Sequence, residues 1–348
     1  MLAQSREKLG VVLVTGATGH IGRPLVANLV EAGYRVKVLT RAPDIARGLL
    51  PQCVELVTAD LSDPSSLRST FDGVDTLFHL ACYQPNPNEP FPLDSRGHWE
   101  VTAIGTANLV ARISGSHLKR MVYICSARAL GKQLSASEHP LDEKVLPMPS
   151  DLYGQATLTA ERQLLELGPA AGIKTSVLRL PMIYGLDDGD LVRLVGAIAT
   201  KRFPPWPCIH NEGSAIHVTD AAAAAVLIAE SPKSARQIYH VTDGKSYSTR
   251  WIYERALDVM GRSRPRWTVP LWVMRSLALA GSITERTIRR RTPLTLAELR
   301  LLTRNSRLSS DKICQTLGFI PKHELGPEIE RLVGSGLGLS TESTLGAA

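Results

Sequence analysis

Residues 9–22 read LGVVLVTGATGHIG. The apolar run Leu9–Thr15 is rich in β-branched residues and stops at glycines, after which Ile21–Glu31 carries a helical pattern. An apolar run without alternation suits a strand buried on both faces of a parallel sheet. Gly16 permits a tight turn, Gly19 leaves room for a pyrophosphate near the helix N-terminus, and Gly22 lets helix and strand pack closely. The first backbone N–H groups of the helix have no intrahelical acceptors and are free to meet an anion. The junction, with Thr15, Thr18, His20 and Ile21 among its glycines, predicts a dinucleotide cradle.

The pattern continues along the chain. Tyr34–Thr40, Val54–Ala59, Thr76–Ala81, Arg120–Ser126 and Thr175–Leu180 read as strands, and Leu67–Phe71, residues 99–115 and Leu152–Gly168 as helices. This rhythm implies right-handed βαβ units and a doubly wound parallel-sheet Rossmann fold of the α/β class. Two irregular stretches, 83–98 and 127–150, follow the carboxyl ends of the fourth and fifth strands, where open α/β sheets place ligands. Past residue 185 the pattern becomes mostly helical: Gly189–Thr200, Thr219–Glu230 capped by Thr219 or Asp220, Thr249–Met260, Leu271–Leu279, Thr295–Leu302, Ser310–Leu317 and Leu325–Val333, with one strand at Ile238–Val241. The expected organisation is a dinucleotide-binding domain over 1–185, completed by 214–243. A smaller substrate-binding region takes 186–213 and 244–335, and a flexible tail 336–348.

The 348 residues are 44% hydrophobic and 21% charged, which excludes a disordered or collagenous chain. Five scattered cysteines without a CxxC pair argue against a disulfide scaffold or a thiolate zinc site. The nine histidines show no paired-ligand spacing, so no metal is expected. The start lacks a signal-peptide pattern, and no uninterrupted apolar stretch reaches membrane-spanning length. A cytoplasmic protein without a transmembrane segment is the expectation. Trp267–Ile283 comes nearest to such a stretch and reads as a buried or surface-lying helix. Residues 250–322 hold 15 Lys or Arg against 5 Asp or Glu, a balance of +10 in a chain of net +7. These arginines are spread over several helices without interleaved aromatics, so a solvated face is expected and not a nucleic-acid site.

The second strand closes on Thr40-Arg41 without the carboxylate that holds the ribose hydroxyls of NAD; Asp44 comes only after Pro43. Arg41 has the chemistry to bind a 2′-phosphate, which predicts NADP(H) over NAD(H).

The chain resembles the extended short-chain dehydrogenase/reductase family. The resemblance rests on TGATGHIG (15–22), Ala59-Asp60-Leu61, Leu80-Ala81, Gly105-Thr106-Ala107-Asn108-Leu109, Tyr123-Ile124-Cys125-Ser126 followed by Gly131, and Ser150-Asp151-Leu152-Tyr153-Gly154. It continues through Arg179-Leu180-Pro181-Met182-Ile183-Tyr184-Gly185, Ile216-His217-Val218-Thr219-Asp220 and Leu317-Gly318-Phe319-Ile320-Pro321. Within the family, the spacing and the stretch 267–291 look closest to the 3β-hydroxysteroid and sterol dehydrogenase-like branch. Dihydroflavonol reductases and sugar-nucleotide epimerases are near neighbours.

The resemblance implies that Asp60 contacts adenine and that Leu61, Leu80, Ala81, Pro181 and Ile183 line the cofactor. Tyr153 would exchange a proton with the substrate oxygen and Ser126 would hold it. The family places a lysine four residues after the tyrosine to lower its pKa; here that position is Thr157, and the next turn carries Glu161, of the wrong sign. The family's helix asparagine also falls on a threonine, Thr102. An unperturbed phenol titrates near 10, so Tyr153 is a poor base without a cation. It acts as a neutral acid, or Arg128 or Lys132 from the long loop takes the lysine's place. Cys82, Tyr83, Arg128, Tyr184 and Trp206 are candidate substrate contacts.

The expected activity is hydride transfer between NADP(H) and a carbonyl or hydroxyl carbon of an apolar or polycyclic small molecule. A transient oxidation serving epimerisation, decarboxylation or dehydration is the alternative, as is a dinucleotide-binding protein without turnover. A homodimer is implied by the resemblance alone.

Overall fold

The computed structural model describes residues 6–137, 139–185, 189–207 and 209–336. In chain order its first half holds β1 (Val11–Thr15), α1 (Gly22–Glu31), β2 (Arg35–Thr40), α2 (Pro43–Leu49), β3 (Glu55–Thr58) and β4 (Thr76–His79). A π-helical stretch, His98–Ile104, then runs into α3 (Gly105–Val110), followed by β5 (Arg120–Ser126), α4 (Gln133–Ala136), α5 (Leu152–Ala170), β6 (Lys174–Leu180) and β7 (Met182–Tyr184). The remainder holds α6 (Asp190–Ala199), β8 (Gly213–His217), α7 (Val218–Glu230), β9 (Gln237–His240), β10 (Ser246–Tyr247) and α8 (Thr249–Val259). It ends with α9 (Leu271–Ile288), α10 (Leu296–Thr303), α11 (Asp311–Leu317) and α12 (Leu325–Gly334).

Seven strands form one parallel sheet in the order β3-β2-β1-β4-β5-β6-β9. Successive side chains of a strand point to opposite faces, and β1 shows what that does. Val12 and Val14 join a core with Leu25 and Val26 of α1 and Ala221 and Ala225 of α7. Leu13 joins the opposite core, with Leu109 of α3 and Leu164 of α5. Both faces are covered, which is why the run is apolar without alternation. The order reverses between β1 and β4, so the carboxyl ends of those two strands open the crevice in which such sheets bind ligands.

The sequence expectation of a doubly wound sheet with a smaller, mostly helical C-terminal region holds. Several details differ. The helix expected at Leu67–Phe71 is instead a 3-10 turn at Pro64–Leu67, and the one expected over 99–115 starts as a π-helical stretch and ends at Val110. A second sheet, β10-β8-β7, went unread because its strands span two to five residues and show no periodicity. The helix expected at Leu271–Leu279 continues to Ile288. The N-cap of α7 is His217, whose Nδ1 accepts from the Thr219 N–H at 3.2 Å, and not Thr219 or Asp220. The tail expected at 336–348 lies outside the described residues except for Gly336. A separate core in the second part gathers Tyr184, Leu191, Val195, Trp206, Ile252, Tyr253, Met274 and Ile329.

Candidate active site

The cradle is built from backbone. Gly16 has φ +71°, and a Cβ there would stand 2.8 Å from the Ala81 nitrogen at the end of β4. A Cβ on Gly22 would stand 2.3 Å from the Gly16 carbonyl oxygen, so only glycine lets α1 start this close to the turn. Gly19 donates to that same carbonyl at 3.1 Å. The N-cap of α1 has no side-chain hydrogen bond and its first turn has no acidic residue, which leaves the positive end of the helix open to a diphosphate. The His20 ring lies 3.3 Å from where a Cβ of Gly189 would be. These residues fit a dinucleotide.

Beneath the turn, Thr15 Oγ1 accepts from the Leu80 and Ala81 N–H groups, each at 3.2 Å, and lies 2.7 Å from His79 Nδ1. With two N–H donors already on that oxygen, its own proton points at His79 Nδ1. The other ring nitrogen therefore donates to Thr106 Oγ1, 2.9 Å away. His79 is fully buried and both of its nitrogens are used, the satisfied core histidine its apolar strand suggests. Asp60 ends the same rim and its Oδ1 accepts from Ser62 N–H at 2.8 Å. The Leu61 carbonyl accepts from Asn108 at 2.8 Å. Pro181 and Ile183, at the carboxyl end of β6 and in β7, are partly buried.

The reactive group expected from sequence sits on the first turn of α5. Asp151 caps this helix by accepting from Gly154 N–H at 2.8 Å. Tyr153 N–H donates to the Leu93 carbonyl at 2.9 Å, tying the helix to the loop after β4. Burial pushes the Tyr153 phenol above its ordinary range; a hydrogen bond with Ser126 and the Arg128 guanidinium pull the other way. The Arg128 guanidinium carbon lies 5.6 Å from the ring centre, and Arg128 donates to Asp151 at 3.2 Å. Of the two cations considered from sequence, the structure brings Arg128 to Tyr153 and leaves Lys132 exposed. Thr157 is buried, and its hydroxyl donates to the Tyr153 carbonyl at 2.8 Å, so it serves the helix's own backbone.

Three contacts near the site could not be read from the sequence. The His98 ring packs 4.8 Å from the Tyr153 ring and 5.2 Å from the Tyr83 ring, and its Nε2 lies 2.7 Å from the Pro92 carbonyl. Burial holds its imidazole below the ordinary range, so it stays neutral at pH 7. The contact joins two elements distant in sequence, the π-helical stretch and α5. Half-buried Arg304, just past α10, feels the charges of Arg128 and Asp151. Burial and then Arg128 lower its pKa, and its guanidinium has no hydrogen-bonding partner among the described residues. Glu161 is neutralised by Arg179 of β6 through bonds of 2.8 and 2.5 Å, both side chains being about 2% exposed.

Cys82 is partly buried and burial raises its thiol pKa. The Tyr83 hydroxyl donates to Glu89 at 2.7 Å, and its N–H to Thr102 Oγ1 at 3.0 Å. Tyr184 and Trp206 are in the second core: the Tyr184 hydroxyl donates to Asp243 at 3.0 Å, and the Trp206 ring stacks on Phe203 at 5.0 Å. The structure thus brings Tyr153, Ser126 and Arg128 together and buries Tyr184 and Trp206 among apolar side chains. No cluster able to hold a metal ion occurs among the described residues.

The profile of the NAD dependent epimerase/dehydratase family matches residues 12–242. The chain belongs to this family. The chain is similar to proteins that cover most of its length. A 4-hydroxy-2-methyl-3-oxo-4-farnesyl-3,4-dihydroquinoline-1-oxide ketoreductase of Stigmatella aurantiaca is 28% identical, over 92% of this chain and 96% of its own. A UDP-glucose 4-epimerase of Vibrio cholerae is 28% identical over 78% and 82%. Sterol demethylase protein B of Methylococcus capsulatus is 27% identical over 89% and 93%. Among solved structures, the Thermus thermophilus UDP-glucose 4-epimerase complex with NAD superposes with a TM-score of 0.70 at 22% identity, covering 93% of this chain and 97% of its own. The dTDP-glucose 4,6-dehydratase of Streptomyces venezuelae with NAD gives 0.71 at 20%, covering 93% and 96%.

This epimerase/dehydratase-family chain is therefore an NAD(P)-binding enzyme of the extended short-chain dehydrogenase/reductase superfamily, related to its 3β-hydroxysteroid dehydrogenase and dihydroflavonol reductase branches. The expectation of NADP is corrected. The related solved structures described with a dinucleotide hold NAD. Arg41 is exposed and makes no side-chain hydrogen bond among the described residues, so no built 2′-phosphate site accompanies it. The family match also favours the alternatives, epimerisation or dehydration, over net reduction of an apolar carbonyl.

Proposed function

We propose that this chain catalyses NAD-dependent transient oxidation of a small-molecule alcohol, in an epimerisation or dehydration, with Tyr153 and Ser126 on the reacting oxygen. The observation that carries the reading is the Arg128 guanidinium over Tyr153, 5.6 Å from its ring centre and anchored on Asp151. A phenol is a poor base at neutral pH, and a nearby fixed cation favours its charged form. Arg128 thus does, from the loop after β5, what the family's lysine does from the helix, where this chain has Thr157. Bound NAD supplies the hydride acceptor, and the same group returns the hydride.

Ser126 fixes the substrate oxygen while Tyr153 takes its proton and later gives it back. Two guanidiniums, Arg128 and Arg304, share the one carboxylate of Asp151, and the surplus positive charge suits a substrate with an anionic group such as the diphosphate of a sugar nucleotide. A second reading, net reduction of an apolar ketone, is supported by the upward shift of the Tyr153 phenol, which keeps it a proton donor. The farnesylated substrate named for the Stigmatella relative supports it too.

The test is incubation with NAD and nucleotide sugars, with product followed by NMR and NADH by absorbance. Sugar conversion without net NADH, lost in Arg128→Gln and partly retained in Arg128→Lys, is the expected result. Stoichiometric NADH consumption with ketones alone overturns it in favour of the second reading.

A further inference from the structure

Helix α9 carries an apolar surface that no element among the described residues covers. Its inner side is Met274, Ala278, Gly281 and Glu285, packed against α10 and the segment before it; a Cβ on Gly281 would stand 2.1 Å from the Leu294 carbonyl oxygen. Residues seven and four apart share a helix face. Trp272, Leu279 and Ile283 follow that spacing on the opposite, outer side, and are 70%, 50% and 56% exposed. Trp267 just before the helix is 65% exposed. Single exposed apolar residues are ordinary, but a continuous ridge with two exposed tryptophans is not.

The charge around the ridge is one-sided. Residues 265–292 contain six arginines and one acid, Glu285. Glu285 is buried and accepts from the Phe91 N–H at 2.8 Å, so it offers solvent no negative charge. Arg266, Arg275, Arg286, Arg289 and Arg290 are exposed and form no ion pair among the described residues. Arg275 and Arg286 flank the ridge by helical spacing, and Arg289 and Arg290 follow its end. No described helix is long and apolar enough to cross a membrane. An apolar face with tryptophan, rimmed by arginine on a helix not apolar enough to span, has the composition of a helix lying in a bilayer interface.

We infer that α9 docks this protein on an anionic lipid leaflet, with Trp267, Trp272, Leu279 and Ile283 in the headgroup–acyl boundary and the exposed arginines on lipid phosphates. Charge complementarity selects this occupant over a second copy of the chain, because two such faces would set like charges together. The docked helix is also tied to the active site. Glu285 holds Phe91, the Pro92 carbonyl lies 2.7 Å from His98 Nε2, and the Leu93 carbonyl accepts from Tyr153 N–H at 2.9 Å.

Co-sedimentation of the full chain with vesicles tests the inference. Vesicles of phosphatidylcholine with phosphatidylglycerol are expected to capture it, those of phosphatidylcholine alone far less, and high salt to release it. Trp272→Glu with Ile283→Glu should weaken capture at least tenfold. Arg286→Gln or Arg290→Gln should each weaken it about fivefold, the scale of one basic residue near a charged leaflet, and these exposed changes keep the test decisive if the double variant misfolds. Three results would overturn the inference. One is no capture by anionic vesicles. Another is equal, salt-insensitive capture by both compositions. The third is self-association of the wild type that Trp272→Glu abolishes, which would assign the face to a second copy.

Discussion

Acidification should unfold this protein through His79, and the size of the effect follows from its surroundings. The ring is 0% exposed between the hydroxyls of Thr15 and Thr106, with no carboxylate in contact. Burial lowers its pKa from 6.5 to about 4. A folded-state value below the unfolded one means that the unfolded chain takes up the proton first. The stabilisation is then whole above about pH 6.5 and is lost progressively as pH falls toward 4. At about 1.4 kcal/mol per pKa unit, some 2.5 units amount to roughly 3 kcal/mol. His240, also 0% exposed and lowered to about 4, loses a similar amount over the same window. Together they take a large share of an ordinary domain's 5–15 kcal/mol, roughly. The added proton on His79 would also face the Thr15 hydroxyl proton, so the phosphate turn should loosen before global unfolding. Urea unfolding at closely spaced pH values between about 7 and 4 measures the slope. His79→Asn, whose Oδ1 can accept from Thr15, should be less stable at pH 7 and show about half the pH slope. A wild-type slope in that variant would refute the reasoning.

Other consequences are directly measurable. Tyr153→Phe should lower kcat by roughly 10²–10⁴, the usual worth of a positioned acid–base group, with little change in NAD binding by calorimetry. Glu161→Gln should cost about 3–5 kcal/mol in denaturant unfolding, because it strands a buried guanidinium. A paired Glu161→Met, Arg179→Met variant should recover most of that loss. Gly22→Ala should weaken NAD binding at least tenfold in a titration, since its Cβ would stand 2.3 Å from the Gly16 oxygen and push the turn open. Calorimetry should also show NAD bound more tightly than NADP.

The Rossmann half of the fold was legible because its signals are local. LGVVLVT followed by glycines shows both a two-faced strand and a phosphate turn, and Arg120–Ser126 was bounded to the residue. The grouping of Tyr153, Ser126 and Arg128 follows from strand and helix ends that the sequence marks, and the structure places the three side chains side by side. The site was opaque where partners come from afar: His98 meets Tyr153, and Glu161 meets Arg179, only after the elements have packed. Tyr184 and Trp206 showed aromatic character but not direction, and both turned into the second core. Arg41 showed a charge suited to phosphate, but a lone exposed cation does not make a binding site. The π-helical start of the long helix left no mark in composition, although His98 is its first residue.

Strand β9 reaches the sheet late. It pairs with β6 through Ser176–Gln237 to Arg179–His240, some sixty residues downstream. Until the ribosome has released that segment, the nascent sheet ends in β6 with its hydrogen-bonding edge open, and open edges invite association with other chains. Fragments ending near the Rossmann boundary should therefore aggregate, whereas those that include β9 close their own rim and stay dispersed.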